Sequence, residues 1–282
     1  MKHFRFLLFI ALLLGSIGCS KNEEPDYVQR TSYFKNTVEG QGDDSVIKCV
    51  TFNMHLGFRD TQDPWDRLQT GATKAHLDSL AAFIISADAD IICLQEVPRN
   101  RSNAEIKSFL EELASLVNMN YAFGAHGYND PYGVVPVHGE WGNAILTKFE
   151  IASIDNYENE YNDVWERRSV LNAELILGAE RYNVYSLHFI PSSVAAQNLA
   201  VYLERDKHNR QIIMGDFNML QVDELVNNGY TDVFKSDSSK VIFDIDLIFV
   251  SAGHFKVLDY YEVPGSQGLS DHEANACILT KL

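Results

Sequence analysis

No apolar run in this sequence has the ~20 residues that a helix needs to cross a bilayer; the run Phe6–Leu14 falls well short. Cysteine is scarce, at four in 282 residues, and no CxxC or Cys/His spacing occurs, so neither a zinc site nor a disulfide framework is indicated. Positive charge is short as well. Lys and Arg number 23 against 39 Asp and Glu, for a formal net charge of -16. Such a surface lacks long-range attraction to polyanions, which weighs against a dedicated nucleic-acid binder, although a bound metal and a few arginines can reverse the potential locally. Repeats, low-complexity tracts and internal linkers are absent from residue 46 onward. At 46% hydrophobic, that stretch can bury a full core, so one domain over 46–282 is expected.

What is present begins with an address. Lys2 and Arg5 precede the run Phe6–Leu14, and Gly15-Ser16-Ile17-Gly18 leads into Cys19. The run is short enough for a cleaved export signal. Small residues ahead of a cysteine resemble a bacterial lipoprotein processing site, with Ser16 standing where that site usually has Leu. The resemblance implies a signal peptide over 1–18, acylation of Cys19, and an exported lipoprotein on the outer membrane of a Gram-negative bacterium, facing periplasm or cell surface. Residues 19–45 are polar and aperiodic, and read as a tether.

Beyond the tether, strand-like and helix-like stretches alternate. Strands are predicted over 46–54, 89–94, 121–123, 143–147, 169–177, 182–189, 211–214, 245–250, 255–261 and 274–279. Helices are predicted from the Asp63-Pro64 cap through Ile84, over 103–117 and over 193–204, and a long loop over 124–141. Several strands follow one another directly, which favours mixed sheets between helices over a doubly wound parallel sheet. Cys49, Cys93 and Cys277 lie in apolar strands and read as small buried hydrophobes.

Polar residues recur at strand ends. Glu96 closes one apolar strand, and Asp216 and Asn218 close another. An Asp and an Asn at this spacing can hold a water between them, or can equally form an Asx turn. Asp244 and Asp246 sit in an apolar stretch, and a buried carboxylate needs a partner; a histidine would serve and would be held charged. Ser270-Asp271-His272 supplies an imidazole beside a carboxylate. His55, His76, His126, His138, His208 and His254 read as packed or solvated residues.

Taken in order, the pieces Thr51-Phe52-Asn53, Leu94-Gln95-Glu96-Val97, Gly142-Asn143, Glu166-Arg167-Arg168, Ser186-Leu187-His188, Gly215-Asp216-Phe217-Asn218, Ile245-Asp246-Leu247-Ile248 and Ser270-Asp271-His272 closely resemble the endonuclease/exonuclease/phosphatase superfamily. The resemblance spans 46–282. It implies an α/β fold in four layers: two mixed β-sheets packed face to face, with helices outside. It implies metal ligation by Glu96, Asn53 and Asp271, a set of oxygens suited to Mg²⁺, with Mn²⁺ or Ca²⁺ as alternatives. Asp216 and Asn218 match the pair that activates water, and His272 the histidine on the scissile phosphate, oriented by Asp246. His188 matches a second phosphate-side histidine, with Glu140 as a candidate support. Arg168 matches a phosphate-binding arginine and Asn143 a site-lining amide.

Departures bear on the substrate. Asp244 stands where many relatives carry a basic residue, and Glu273-Ala274 where many carry Arg-Pro. The implied activity is a monomeric, metal-dependent hydrolase of phosphate esters outside the cytoplasm, acting on a small or lipid-derived ester. An extracellular DNA or RNA endonuclease is the alternative. A surface binding module with a relict site is the alternative of another class.

Overall fold

A computed structural model describes residues 27–40, 45–59, 70–129, 137–161 and 167–282. The expected leader, Cys19, the Asp63-Pro64 cap, Trp65, Trp165 and Glu166 lie outside the described residues. In chain order the elements are α1 (Tyr27–Arg30), β1 (Tyr33–Lys35), β2 (Val46–Asn53), α2 (Lys74–Ala87), β3 (Ile91–Arg99), α3 (Phe109–Val117), β4 (Asn120–Asn129) and β5 (His138–Thr147). Then come β6 (Glu150–Tyr161), β7 (Arg167–Leu177), β8 (Glu180–His188), α4 (Ser193–Arg205), β9 (Arg210–Asp216), α5 (Asp223–Asn227), β10 (Tyr230–Asp232), β11 (Asp246–Ser251), β12 (Phe255–Glu262) and β13 (Asn275–Lys281).

The strands form two mixed sheets, ordered β1-β4-β5-β3-β2-β13-β12 and β10-β11-β9-β8-β7-β6. Each sheet holds one parallel pair, β2 with β3 and β8 with β9, and its remaining pairs are antiparallel. A parallel pair needs a crossover, and α2 and α4 supply them. Alternation along a strand builds the layers. Cys49, Ile91 and Cys93 face the second sheet and share a core with Val184, Tyr185 and Ile213. Their neighbours Val50, Ile92 and Leu94 face the opposite way, onto Leu77, Leu80 and Ile84 of α2 and Phe109 and Leu113 of α3. Ala195, Leu199 and Leu203 of α4 cover the outer face of the second sheet. The four-layer sandwich expected from the sequence is the observed fold. The three cysteines are buried and free.

Four local expectations are corrected. The first long helix starts at Lys74, where Thr73 caps it by accepting from the His76 amide at 3.2 Å, so Ala72 is not helical. The second starts at Phe109, because the backbone before it is committed elsewhere: Glu105 and Ile106 donate to the carbonyls of Gly71 and Ala72. The expected loop over 124–141 is largely strand, with β4 running to Asn129 and β5 starting at His138. Gly142 permits this, since a Cβ there would sit 2.0 Å from the Gly124 carbonyl oxygen. Lastly, residues 27–40 belong to the domain rather than to the tether. Tyr27 and Val28 are buried, β1 pairs with β4, and the Asn36 amide exchanges two hydrogen bonds with the backbone of Ile151.

Candidate active site

Register brings the polar strand ends to one edge of the sandwich. His188 and Asp246 both lie directly beside Asp216, while Asn53 is level with Gln95. Two backbone features aim the side chains. Glu96 has φ 51 and lies in the β-bulge between Leu94 and Val97, which breaks the alternation of β3 at the point where the carboxylate must turn into the cleft. Gly215 has φ 154, and a Cβ there would lie 2.0 Å from the Leu187 carbonyl oxygen, so glycine alone lets β8 and β9 deliver His188 and Asp216 side by side.

Asp216 sits at the centre. Its Oδ2 accepts from Asn53 Nδ2 at 3.1 Å across the two sheets, and lies 3.4 Å from His188 Nε2 and 4.0 Å from His272 Nε2. Its Oδ1 accepts from the Asn218 amide at 2.8 Å, so the Asx turn is made while the other oxygen serves the cleft. Asn218 in turn donates to the Phe189 carbonyl at 2.9 Å. Burial, and then the Asp246 charge, push the Asp216 carboxyl up to about 7. Asp246 Oδ2 meets His272 Nδ1 at 2.6 Å. Burial pulls the His272 imidazole down, but its hydrogen bond to Asp246 and the charges of Asp246, Asp216 and Asp271 prevail and raise it to about 10. His272 is therefore an imidazolium, as the buried acid required. Asp246 opens β11 rather than lying inside it, and Asp244 accepts from the amides of Ile245 and Asp246 and from Asn275 Nδ2. Its carboxylate is thus spent on anchoring the strand that carries Asp246.

His188 behaves differently. Burial first, then Arg168, His126 and His272, hold its pKa well below the usual histidine value. It is neutral, so only His272 of the two expected phosphate-side histidines carries charge. The Arg168 guanidinium stacks 4.7 Å over the buried Trp141 ring, which also meets His188 edge-on at 6.1 Å. Glu96, Arg168, His188, Asp216, Asn218 and His272 line a cleft of about 210 Å³ with Phe189, Ile190 and Pro191.

Of the other expected residues, Asn53 and Asp246 reach the cleft only through their bonds to Asp216 and His272, and three more sit apart from its lining. Asn143 is fully buried and donates to the carbonyls of Ser169 and Ser186 at 2.9 and 3.0 Å, so its amide ties the sheets together. Asp271 lies at the rim, with Oδ2 3.4 Å from His55 Nε2. Glu140 bonds Arg99 at 2.9 Å and does not support His188, whose Nδ1 instead lies 4.0 Å from Glu96 Oε1. Sequence reasoning missed His55 and the polar layer beneath the cleft. In that layer Gln95 Nε2 donates to Ser186 Oγ at 3.3 Å, and the Ser169 amide donates to His126 Nδ1 at 2.9 Å. Gln95, beside Glu96, was the legible signal, because a buried amide must be hydrogen-bonded.

The donor set fits a hard divalent cation. Donor atoms of Asp216, Asp246 and His272 lie within 4.8 Å of one another. They form a hydrogen-bonded relay rather than a cage, since His272 Nδ1 is taken by Asp246, and Asp216 by Asn53 and Asn218. Glu96 carries the better claim: a buried carboxylate at the cleft, beside a His188 Nδ1 that makes no hydrogen bond. Glu96, Asp216 and Asp246 are buried together at this edge, with the Arg168 guanidinium and the His272 imidazolium beside them.

The profile of the Endonuclease/Exonuclease/phosphatase family matches residues 50–272. No curated protein matches by sequence. Among solved structures, the human Nocturnin catalytic domain with bound sulfate is 15% identical with TM-score 0.66, covering 90% of this chain and 98% of that one. The endonuclease/exonuclease/phosphatase of Beutenbergia cavernae is 16% identical with TM-score 0.64, over 84% and 72%. D. rerio TDP2 complexed with single-strand DNA product is 17% identical with TM-score 0.56, over 84% and 100%. At these identities the likeness is one of fold.

Proposed function

Given that this chain belongs to the endonuclease/exonuclease/phosphatase family, a family of divalent-metal phosphoesterases, we propose that it hydrolyses a small or lipid-derived phosphate ester outside the cytoplasm, with Mg²⁺ as its cation. The observation that carries the proposal is the meeting of Glu96, Arg168, His188, Asp216 and the Asp246–His272 ion pair in one small cleft. Glu96 would hold the cation; of the two other expected ligands, Asn53 has its Oδ1 accepting from the His55 amide and Asp271 lies at the rim beside the His55 ring. When bound, the cation supplies charge neutralisation at the phosphate. Arg168, preorganised on Trp141, binds a non-bridging oxygen. His272 donates its Nε2 proton to a second oxygen, where negative charge grows in the transition state. Asp216, whose carboxyl titrates at about 7, acts in its ionised form and takes the proton from an attacking water held against Asn218, while the P–O bond to the leaving alkoxide breaks and the alkoxide takes up a proton from solvent. His188 orients Asp216 through Nε2.

The substrate preference is supported by size and charge. A cleft of about 210 Å³ is below the ~300–1,000 Å³ of drug-sized pockets, and among the described residues Arg168 is its one Lys or Arg lining residue. TDP2, with its single-strand DNA product, keeps the nuclease reading as the rival. The test is to assay the purified protein with Mg²⁺ on plasmid DNA, a phospholipid panel and a chromogenic phosphomonoester. Turnover of a lipid or monoester, abolished in Glu96→Ala and His272→Ala, is expected. Rapid DNA cleavage with neither of the other two would overturn the preference. Silence on all three would favour a binding module.

A further inference from the structure

The buried cysteines take no part in the chemistry of the cleft, yet two of them meet. β2 and β13 are neighbouring interior strands of the first sheet, and their antiparallel register sets Cys49 directly opposite Cys277. Both side chains are fully buried in the core shared with the second sheet. The two thiols are in hydrogen-bond contact. Directly opposed residues of an antiparallel pair have Cβ atoms ~4.5–5.5 Å apart, and a disulfide needs about 3.5–4.5 Å. A closure of roughly 1 Å would join them with no change of register.

Cys93 is placed otherwise. It lies on β3 level with Thr51, two residues along β2 from Cys49, and its Sγ donates to the Tyr185 carbonyl at 3.7 Å across the sheets. Register therefore selects one pairing among the three.

We propose that Cys49 and Cys277 form a stabilising disulfide when this chain folds in an oxidising compartment, before its two sheets close, and that Cys93 stays a thiol. The bond ties β2, which ends at Asn53, to β13, which follows Asp271 and His272, so the loop it closes holds nearly the whole catalytic domain. The inference goes beyond the phosphoesterase reading and uses none of its residues. It rests on export, since disulfides persist outside a reducing cytosol.

The oxidant is a disulfide donor, protein or small molecule. One cysteine thiolate attacks a donor sulfur, forming a mixed disulfide and expelling a donor thiolate. The second cysteine thiolate attacks the chain's own sulfur in that bond, closing Cys49–Cys277 and expelling the other donor thiolate. The cysteines give up two protons and two electrons, and the donor keeps the electrons as two thiolates. Burial sets the timing. Neither sulfur is accessible in the folded domain, and the hydrogen bond with Cys277, then burial, hold the Cys49 thiol well above its usual range. Exchange thus precedes packing of the sheets, and the finished bond is sealed from reductants.

Trypsin separates the cysteines: Cys49 falls in 49–59, Cys93 in 75–99 and Cys277 in 257–281. The full chain, reduced and unfolded in urea, is refolded in a mixture of oxidised and reduced glutathione. Free thiols are then alkylated in denaturant before digestion and mass spectrometry. The expected product links 49–59 to 257–281 and carries the alkyl group on Cys93. A link through Cys93 or Cys19, or alkylation of both Cys49 and Cys277, would overturn the proposal. The folded, reduced chain in the same buffer should form the link at least about tenfold more slowly; equal rates would overturn it as well. The linked chain should unfold in urea at a midpoint about 1 M above that of the reduced chain, a gap that Cys93→Ala keeps. No gap would remove the stabilising role. Refolding tests the pairing whether or not the chain is exported, and no readout involves turnover.

Discussion

Asp246 shows how much of the chemistry one carboxylate holds in place. Buried and bonded to His272 at 2.6 Å, it keeps that imidazole both charged and oriented. Asp246→Asn retains the shape and removes the charge, so kcat should fall by about 10²–10⁴-fold, with the far-UV circular dichroism unchanged. Glu96→Ala removes the carboxylate proposed to hold the cation. Activity should drop by a similar factor while Tm holds or rises, because a buried charge in a strained backbone is lost; Mg²⁺ binding measured by calorimetry should vanish with it. His76 is a residue whose titration lies away from the cleft. Burial, then Arg59 and His55, lower it to about 4. Its neutral form is favoured in the fold, so the stability it contributes is complete above its ordinary value near 6.5 and is lost as pH falls from there toward 4. In His76→Leu, Tm measured between pH 7 and 4.5 should decline less steeply than in the parent.

At the scale of elements, strand ends carry the site and backbone geometry decides their aim. Gly215→Ala would press a Cβ against the Leu187 carbonyl at 2.0 Å, while Gly229 has a comparable need for positive φ with nothing within 4 Å. Urea unfolding should therefore show Gly215→Ala losing more than about 3 kcal/mol and Gly229→Ala about 1. Most strands were legible from alternating β-branched and aromatic residues. β6 was not: its Glu150–Tyr161 sequence is rich in acids and Asn and reads as loop. It is an edge strand with two irregularities, the place where sheets put charge to discourage further pairing. Ile106 sits at helical spacing, yet its backbone is hydrogen-bonded to residue 72, a partner that periodicity within one segment cannot reveal.

For the whole molecule, the boundary of the domain is the testable quantity. Tyr27 and Val28 are buried, and the amides of Thr37 and Val38 bond Asn120 Oδ1. A chain begun at residue 45 should be less stable by about 3 kcal/mol or more, read as a lower urea midpoint, whereas one begun at residue 27 should match the parent. The polar composition of 19–45 concealed this, because a short strand on a sheet edge needs few apolar residues of its own.

By itself the sequence determined the alternation of strands and helices, the layered architecture and the identity of the chemical groups, because periodicity and side-chain chemistry are local properties. Only the tertiary structure decided which groups work together. It left His188 neutral, gave Glu140 to Arg99 instead of His188, turned Asn143 into a tie between sheets and set His55 beside Asp271. These depend on burial and on distances between residues far apart in the chain, and both come into being when the two sheets close on each other.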